Sequence, residues 1–357
     1  MFYHNNILFV VKDTKILIPN SDFRNRHNKY ITFLKKKNFN INFVLIHSKK
    51  YFVMDENYNV QIDFNSNLYK LFIFFLKNNY SKIVLQDTFL LSLYINIISK
   101  IKKKEVILQI HGELFSKRWI LLSYKNPFKF LLSFINIMLS KKIRVVNNYT
   151  KKIILKIFKN KFVLNIPIPV LDHFEKKNFE ILKNKKFNIA YISELINIKN
   201  PKLVIKICRE LNKLNFNYAI FIIGDGALMN KIRNMVNKYE LNNQVYILGK
   251  LKYEEIKKIY KNMNLTILTS KSESYSRVIV ESFLNHTPVL STKSTGPSEL
   301  VKKEYLFNFD EEKIAKSIYN LGNNKLLLKK YMDFVEGKYA NYNPNIYIDK
   351  WSNFIIE

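Results

Sequence analysis

Short apolar runs alternate with longer amphipathic segments along the whole chain, and this alternation predicts strands separated by helices. Buried strands are predicted in the first half at 7–11, 40–46, 82–86, 105–110, 142–146 and 161–166. Helices are predicted between them near 24–37, 66–78, 88–100, 122–140 and 149–159. The second half repeats the pattern, with strands at 186–192, 217–223, 244–248, 264–268 and 288–292 and helices near 200–214, 227–239, 253–261, 277–285 and 311–321.

Continuously apolar strands that alternate with helices predict parallel sheets covered on both faces. Two such sets predict an α/β chain with two Rossmann-like, doubly wound domains, and the cleft between them is the expected place for a ligand. The expected domains are residues 1–168 and 186–342, joined by a linker at 169–185 in which prolines and polar residues stop regular structure. A C-terminal helix near 343–357 is expected to pack back on the first domain.

The charge balance bears on partners and not on the fold. The chain of 357 residues carries 59 Lys+Arg against 28 Asp+Glu, a net charge of +31. Such a surface favours an anionic membrane, nucleic acid or a phosphorylated substrate, although a simply solvated lysine-rich surface is an equal alternative. Nucleic-acid binding would rest on charge alone, because no recognition motif is present, and we expect no nucleic-acid partner.

Cysteine content and apolar length bear on the compartment. The single cysteine, Cys208, lies in an apolar pattern and is predicted to be buried, which excludes an internal disulfide and a Cys-rich zinc site. The N-terminal residues predict neither a signal peptide nor a membrane span. The longest apolar candidate, 119–142, is interrupted by Lys125, Pro127 and Lys129. We expect a cytoplasmic protein, with peripheral association at the inner face of the cell membrane as an open alternative.

Candidate chemistry is concentrated in "KSESYSRVIVESFLN" (271–285), which follows a predicted buried strand. Glu273 is expected on the loop, Ser276 at the helix N-cap and Glu281 about one turn into the helix. A helix N-terminus attracts phosphate, and carboxylates accept hydrogen bonds from sugar hydroxyls. The stretch therefore suits a nucleotide sugar, whereas the plainer alternative is a loop glutamate and a solvated helix glutamate.

Other motifs surround this stretch in a fixed order. Gly224-Asp225-Gly226 ends one predicted strand, another runs from Val245 to Gly249, Pro288-Val289 opens a third, and Gly296-Pro297-Ser298-Glu299 forms a turn. With Glu273 and Glu281 separated by seven residues, the ordered set resembles the C-terminal domain of glycosyltransferase family 4, the retaining transferases of GT-B fold. The resemblance covers residues 224–299 most clearly.

The resemblance implies transfer of a sugar from a UDP- or GDP-linked donor to an acceptor hydroxyl with retention of configuration. It implies that Glu273 holds the donor hexose, Glu281 the ribose and Lys199 the diphosphate. The other residues that it places at the donor are Ser274, Tyr275, Ser276, Arg277, Gly224 and Gly226. The family has an arginine five residues before the lysine, where this chain has Glu194; Arg277 is the first candidate to replace it.

The first half resembles the family more faintly. His111-Gly112 ends a predicted strand where the family often has His-Gly on the acceptor side, so His111 is expected to line the acceptor or support the transition state. The family's glycine-rich loop is missing. Arg24, Arg26 and His27 open the first predicted helix instead and could meet phosphate or acceptor, although a basic helix face is the plainer interpretation.

The sequence also leads to expectations about metal dependence, the acceptor and catalytic activity. No Asp-x-Asp motif is present, so we expect metal-independent transfer and no cofactor beyond the nucleotide sugar. The aromatic, basic segment 115–142 favours a glycan or lipid-linked acceptor at an anionic membrane, in lipopolysaccharide, capsule or other cell-surface glycan synthesis. That segment could instead be only a covering helix. Glu194 also leaves open a non-catalytic relative that acts as a sugar-binding or partner subunit.

Overall fold

The computed structural model describes residues 5–47, 50–63, 67–171 and 186–357. These residues form two compact units. The first unit runs to Leu171 and also contains Asn343–Glu357, and the second unit ends at Tyr342. Most of the linker expected at 169–185 lies outside the described residues.

The described elements alternate between strands and helices in both units. The strands of the first unit are β1 (Asn6–Val11), β2 (Asn40–His47), β3 (Lys50–Met54), β4 (Val60–Asp63), β5 (Lys82–Leu85), β6 (Glu105–Ile110), β7 (Lys142–Val145) and β8 (Phe162–Asn165). Those of the second are β9 (Phe187–Ile192), β10 (Tyr218–Ile223), β11 (Val245–Gly249), β12 (Leu265–Leu268), β13 (Val289–Thr292) and β14 (Leu306–Phe307).

The helices follow the same division. The first unit contains α1 (Asp22–Lys36), α2 (Leu68–Lys77), α3 (Leu90–Ile101), α4 (Lys117–Leu121), α5 (Asn126–Leu139) and α6 (Asn148–Ile157). The second contains α7 (Pro201–Lys213), α8 (Met229–Lys238), α9 (Tyr253–Tyr260), α10 (Arg277–Leu284), α11 (Thr295–Leu300), α12 (Glu311–Asn323) and α13 (Lys325–Tyr339). The last helix, α14 (Pro344–Ile356), belongs to the first unit.

The sheet of the first unit has the order β4-β3-β2-β1-β5-β6-β7-β8. Strands β2, β1, β5, β6, β7 and β8 are parallel, as predicted, whereas β3 and β4 form an antiparallel edge. This edge was not predicted, because β4 is only four residues long and is exposed along its whole length. The strand order reverses at β1, which has β2 on one side and β5 on the other.

The sheet of the second unit has the order β11-β10-β9-β12-β13-β14, and all its pairs are parallel. Its order reverses at β9. Ligands of doubly wound sheets bind beyond the carboxyl ends of the strands at such a reversal, because the two connections leave in opposite directions and open a crevice. The two doubly wound parallel sheets confirm the predicted fold class.

Several helix boundaries differ from the predicted ones. The helix predicted near 122–140 is α5, which begins four residues later, and the short helix α4 before it was not predicted. Pro127 lies in the first turn of α5, where a missing N–H costs no hydrogen bond. Helix α13 was not predicted, although Leu328, Tyr331 and Val335 are buried on it. Cys208 is fully buried, which confirms its predicted role as a small core residue.

Helix α14 packs against α1 within the first unit. Trp351 is its largest buried side chain, with its ring centroid 6.4 Å from that of Tyr30 and 4.6 Å from the Arg144 guanidinium. Burial of a tryptophan in this position supplies a large apolar area and a cation–π contact. Among the described helices, none is both long and apolar enough to cross a bilayer.

His27 is a buried histidine in the core of the first unit. Its Nδ1 lies 2.8 Å from the carbonyl oxygen of Phe23, and its Nε2 lies 2.7 Å from Nε2 of Gln86. The neutral tautomer that satisfies both contacts donates from Nδ1 and accepts the Gln86 amide at Nε2. Burial, with a further contribution from Arg26, lowers the pKa of His27 from 6.5 to about 3.

This histidine makes stability depend on pH. Below pH 6.5 the unfolded chain protonates this imidazole while the folded chain does not, so the free energy of unfolding decreases as the pH is lowered. Between pH 7.5 and pH 5, we expect His27 to account for a loss of roughly 2 kcal/mol in urea unfolding. In a His27→Gln variant this component should vanish, and in His286→Gln it should persist. An unchanged pH profile in His27→Gln would contradict the assignment.

Candidate functional site

Two loops at the strand-order reversal of the second sheet are joined by an ion pair. Lys199 lies on the loop after β9 and Glu273 on the loop after β12, and their Nζ and Oε2 atoms are 2.6 Å apart. The two side chains are 27% and 16% exposed, respectively, so the pair is shielded from water while one side stays accessible. The structure therefore brings together a cation and a carboxylate that are 74 residues apart in the chain.

The loop that carries Lys199 is held by its backbone. The carbonyl oxygen of Lys199 accepts hydrogen bonds from the Tyr191 hydroxyl, at 3.0 Å, and from Thr269 Oγ1, at 2.9 Å. The backbone N–H of Lys271 donates to Ile198 O at 2.7 Å. These bonds fix the two loops to each other, so the ion pair forms on a prepared backbone.

Glu281 is buried one turn into α10. The residue is 6% exposed, and its Oε1 accepts a hydrogen bond from Arg277 NH2 at 2.9 Å. The plainer alternative of a solvated helix glutamate is therefore wrong for Glu281. A carboxylate so far from water needs a cation, and Arg277 supplies it at the i,i+4 spacing of the helix.

The turn before α10 is compact and strained. Ser276 has φ 66° and ψ 92°, outside the regions that a serine normally occupies. It occupies the predicted N-cap position, but its side chain makes no capping hydrogen bond. A Cβ on Gly296 would lie 2.4 Å from the Tyr275 backbone nitrogen, so only glycine lets α11 approach this turn. Ser274 and Tyr275 thus have their backbone placed just ahead of the α10 N-terminus.

The Gly224-Asp225-Gly226 turn packs directly on the loop after β9. Gly224 has φ 135°, and a Cβ there would lie 1.9 Å from Ser193 O. The backbone of Leu195 donates to Asp225 O at 2.9 Å. Glu194, which stands where the resembling family has arginine, is exposed on this loop.

Two lysines, Lys231 on α8 and Lys271 on the loop before α10, are near enough to Lys202 on α7 for their charges to act on it. Contact with Lys231 lowers the pKa of Lys202, and the charge of Lys271 lowers it further. Like charges held together attract an anion. Sequence reasoning missed this cluster, because in a chain with 59 Lys+Arg no single lysine stands out.

His111 lies in a cavity of about 330 Å³ in the first unit. The cavity is at the carboxyl ends of β1, β5, β6 and β7, which include the strand-order reversal of the first sheet. Burial, followed by the charge of Arg144, lowers the pKa of His111 to about 3, so its imidazole is neutral at pH 7. Arg26 and His27 line the same cavity, whereas Arg24 stacks on Tyr58 and is not part of its lining.

Metal ligands are not clustered in the described ranges. No group of three or more His, Cys, Asp and Glu side chains there is arranged to hold a metal ion.

The sequence of the second unit is similar to that of known glycosyl transferases. Residues 172–340 match the sequence family described as Glycosyl transferases group 1. Protein CapJ of Staphylococcus aureus is 32% identical over 185 residues, which are 49% of this chain and 46% of that protein. The chain spans about half the length of the curated relatives that it matches first.

Solved structures extend the similarity to both units. The pneumococcal O-GlcNAc transferase GtfA, in complex with UDP and GlcNAc, superposes with a TM-score of 0.73 at 11% identity and covers 99% of both chains. HepE from Anabaena, in complex with UDP and glucose, superposes with a TM-score of 0.70 at 14% identity over 98% of this chain and 99% of that one. The chain therefore has the GT-B fold, and the sequence of its second unit matches the group 1 glycosyl transferases.

Proposed function

We propose that this protein is a retaining glycosyltransferase of family 4 that moves a hexose from a UDP- or GDP-linked donor to an acceptor hydroxyl. The observation that carries the proposal is the ion pair between Lys199 and Glu273 beside the N-terminus of α10, with Glu281 one turn further on. A cation, two carboxylates and the N–H groups at the start of a helix suit a ligand with a diphosphate between two hydroxyl-bearing sugars. The match to the group 1 family supports the same assignment.

The leaving diphosphate requires positive charge, since negative charge develops on it in the transition state. Lys199 and the backbone N–H groups of 274–276 would bind it. The charge of the missing arginine would come from Arg277, which is bonded to Glu281 as Lys199 is to Glu273, or from Lys202 and its neighbours Lys231 and Lys271. Gly224 and Gly226 would keep the adjoining turn close to the nucleotide.

The two glutamates would bind the sugars at either end of the donor. Glu273 would hold the hexose hydroxyls and Glu281 the ribose, since a carboxylate accepts two hydrogen bonds at once. Each is partnered by a cation that limits its charge near the diphosphate. His111, neutral at pH 7, would accept or donate a hydrogen bond on the acceptor side without adding charge to the oxocarbenium-like centre.

Substitution of the two glutamates should have different kinetic effects. Glu281→Gln removes the charge that holds the ribose and should raise donor KM about tenfold. Glu273→Ala frees the hexose and releases Lys199, and should lower kcat about 100-fold through misplacement of the reacting carbon. Steady-state assays with a panel of UDP- and GDP-sugars measure both effects.

The matched control is Glu254→Gln, which removes an exposed carboxylate of α9 in the same unit and should leave both constants unchanged. Normal transfer by both site variants would refute the assignment of the glutamates. Product anomeric configuration, read by NMR, tests retention independently.

Metal independence is part of the proposal, because the residues assigned to the diphosphate are lysines and backbone N–H groups. Activity in excess EDTA should equal activity in added Mg²⁺ or Mn²⁺ after correction for ionic strength. A loss of activity in chelator that is restored by one divalent ion would overturn it.

Glu194 favours one competing function. An anion at the position of the expected arginine would suit a sugar-binding or partner subunit that has lost catalysis. Such a protein would be stabilised by UDP or GDP in thermal unfolding and would hydrolyse no donor. Donor hydrolysis by the wild-type chain, abolished in Glu273→Ala, would instead favour the enzyme.

A membrane-facing acceptor is favoured by the surface of α4 and α5. Leu121 and Tyr124, before α5, are 84% and 87% exposed, and Phe128 and Leu131 on α5 are 61% and 53% exposed. Exposed apolar side chains of this size, close to four basic ones, fit the interface of an anionic membrane. The four basic residues are Lys117, Arg118, Lys125 and Lys129.

We therefore propose a lipid-linked or glycan acceptor at the inner face of the cell membrane, in lipopolysaccharide, capsule or other cell-surface glycan synthesis. The wild-type chain should float with phosphatidylglycerol-rich vesicles at low salt, and a Tyr124→Ser, Phe128→Ser variant should bind them about tenfold more weakly. Tyr69→Ser, at a 70% exposed aromatic of α2, is the control. Equal flotation of all three proteins, or flotation of none, would remove the membrane from the proposal.

A further inference from the structure

The cavity of the first unit has a cationic wall. Arg144 is 3% exposed, and its guanidinium donates to three neutral oxygens: Ile166 O at 3.0 Å, Gln109 Oε1 at 2.9 Å and Pro167 O at 3.1 Å. These bonds fix its plane at the cavity wall. Arg26 and Lys12 line the cavity from the start of α1 and from the end of β1.

Gln109 provides a fixed donor on the same wall. The residue is 2% exposed, and its Oε1 is held by Arg144, so the amide cannot turn over without losing that bond. Its Nε2 is buried, and no acceptor in the described part of the chain reaches it. A buried N–H group without a partner is costly, and a ligand oxygen in the cavity would satisfy it.

Two acids reduce the positive charge without reversing it. Asp22 is paired with Arg26, and Asp13, which lines the cavity, accepts from the backbone N–H of Lys15 at 3.0 Å. Burial lowers the pKa of His27 and of His111 most, and Arg26 and Arg144 lower both further, while Asp22 offsets only part of this at His27.

The geometry points to a binding site for a phosphate group in this cavity, held by Lys12, Arg144 and the Gln109 amide. Lys12 directly follows β1, whereas Arg144 lies on β7 and Gln109 on β6. Convergence from separate strands suits a tetrahedral group with three or more free oxygens better than a planar carboxylate. The cavity volume leaves space for a further group attached to the phosphate.

The chemical source of this phosphate rests on the proposed function. If the second unit binds the nucleotide donor, a separate phosphate site in the first unit assigns a phosphorylated acceptor, whose phosphate would anchor it while a nearby hydroxyl receives the sugar. The phosphate site itself requires only the geometry of the first unit.

Binding to the full-length protein tests the site with matched probes. Titration calorimetry should detect glycerol 3-phosphate but not glycerol. Lys12→Met and Gln109→Met should each weaken glycerol 3-phosphate binding about tenfold, because each removes one donor to a charged oxygen. Lys29→Met removes an exposed lysine of α1 outside the cavity and should change nothing.

Two further measurements separate the possible failures. UDP and GDP binding should be the same in Lys12→Met and Gln109→Met as in the wild type, since these residues lie in the first unit. Absence of phosphate binding, or equal binding by all variants, overturns the phosphate site even if nucleotide binds normally. Absence of nucleotide binding overturns the proposed function, whereas the phosphate site is still decided by the glycerol 3-phosphate titrations. Inorganic phosphate that binds as tightly as the ester would overturn the acceptor assignment.

Discussion

The ion pair between Lys199 and Glu273 is the contact on which the candidate donor site depends. It joins the loops that leave β9 and β12, the neighbouring strands at which the sheet order reverses. Because connections on the two sides of a reversal diverge, a crevice opens there and charged side chains can face each other with little water between them. The backbone bonds to Lys199 O from Tyr191 and Thr269 hold this contact in place before any ligand arrives.

The loops around the ion pair require strained or unusually close backbone in the second unit. Ser276 is held at positive φ, and the glycines at 224 and 296 allow neighbouring backbones to approach more closely than a Cβ would permit. Strain of this kind persists only where surrounding contacts outweigh it. Here those contacts are the core strands and α10, whose Phe283 is 1% exposed. The N-terminus of α10 is thereby placed beside Glu273.

The two units use charge in different ways. In the second, each glutamate of the site is matched by a cation at hydrogen-bonding distance, so the site is close to neutral where sugars would lie. In the first, burial keeps His27 and His111 neutral, and arginine supplies the charge, since a guanidinium stays protonated when it is buried. A histidine is thus available for hydrogen bonding where a further charge would be unfavourable.

Local pattern determined much of this protein by itself. The period of apolar residues predicts most strands and helices, and the order of the glycine, glutamate and proline motifs places Glu273 before α10 and Glu281 within it, because these are properties of neighbouring residues. Only the tertiary structure decided which charged side chains contact one another. The motif singles out Lys199, but nothing in the sequence shows that Lys199 pairs with Glu273. In a chain with 59 Lys+Arg, the sequence likewise does not show that Lys202 lies close to Lys231 or that Arg144 forms a cavity wall. Those contacts join segments that meet only when the sheets form, and the exposed edge strand β4 likewise exists only through its pairing with β3.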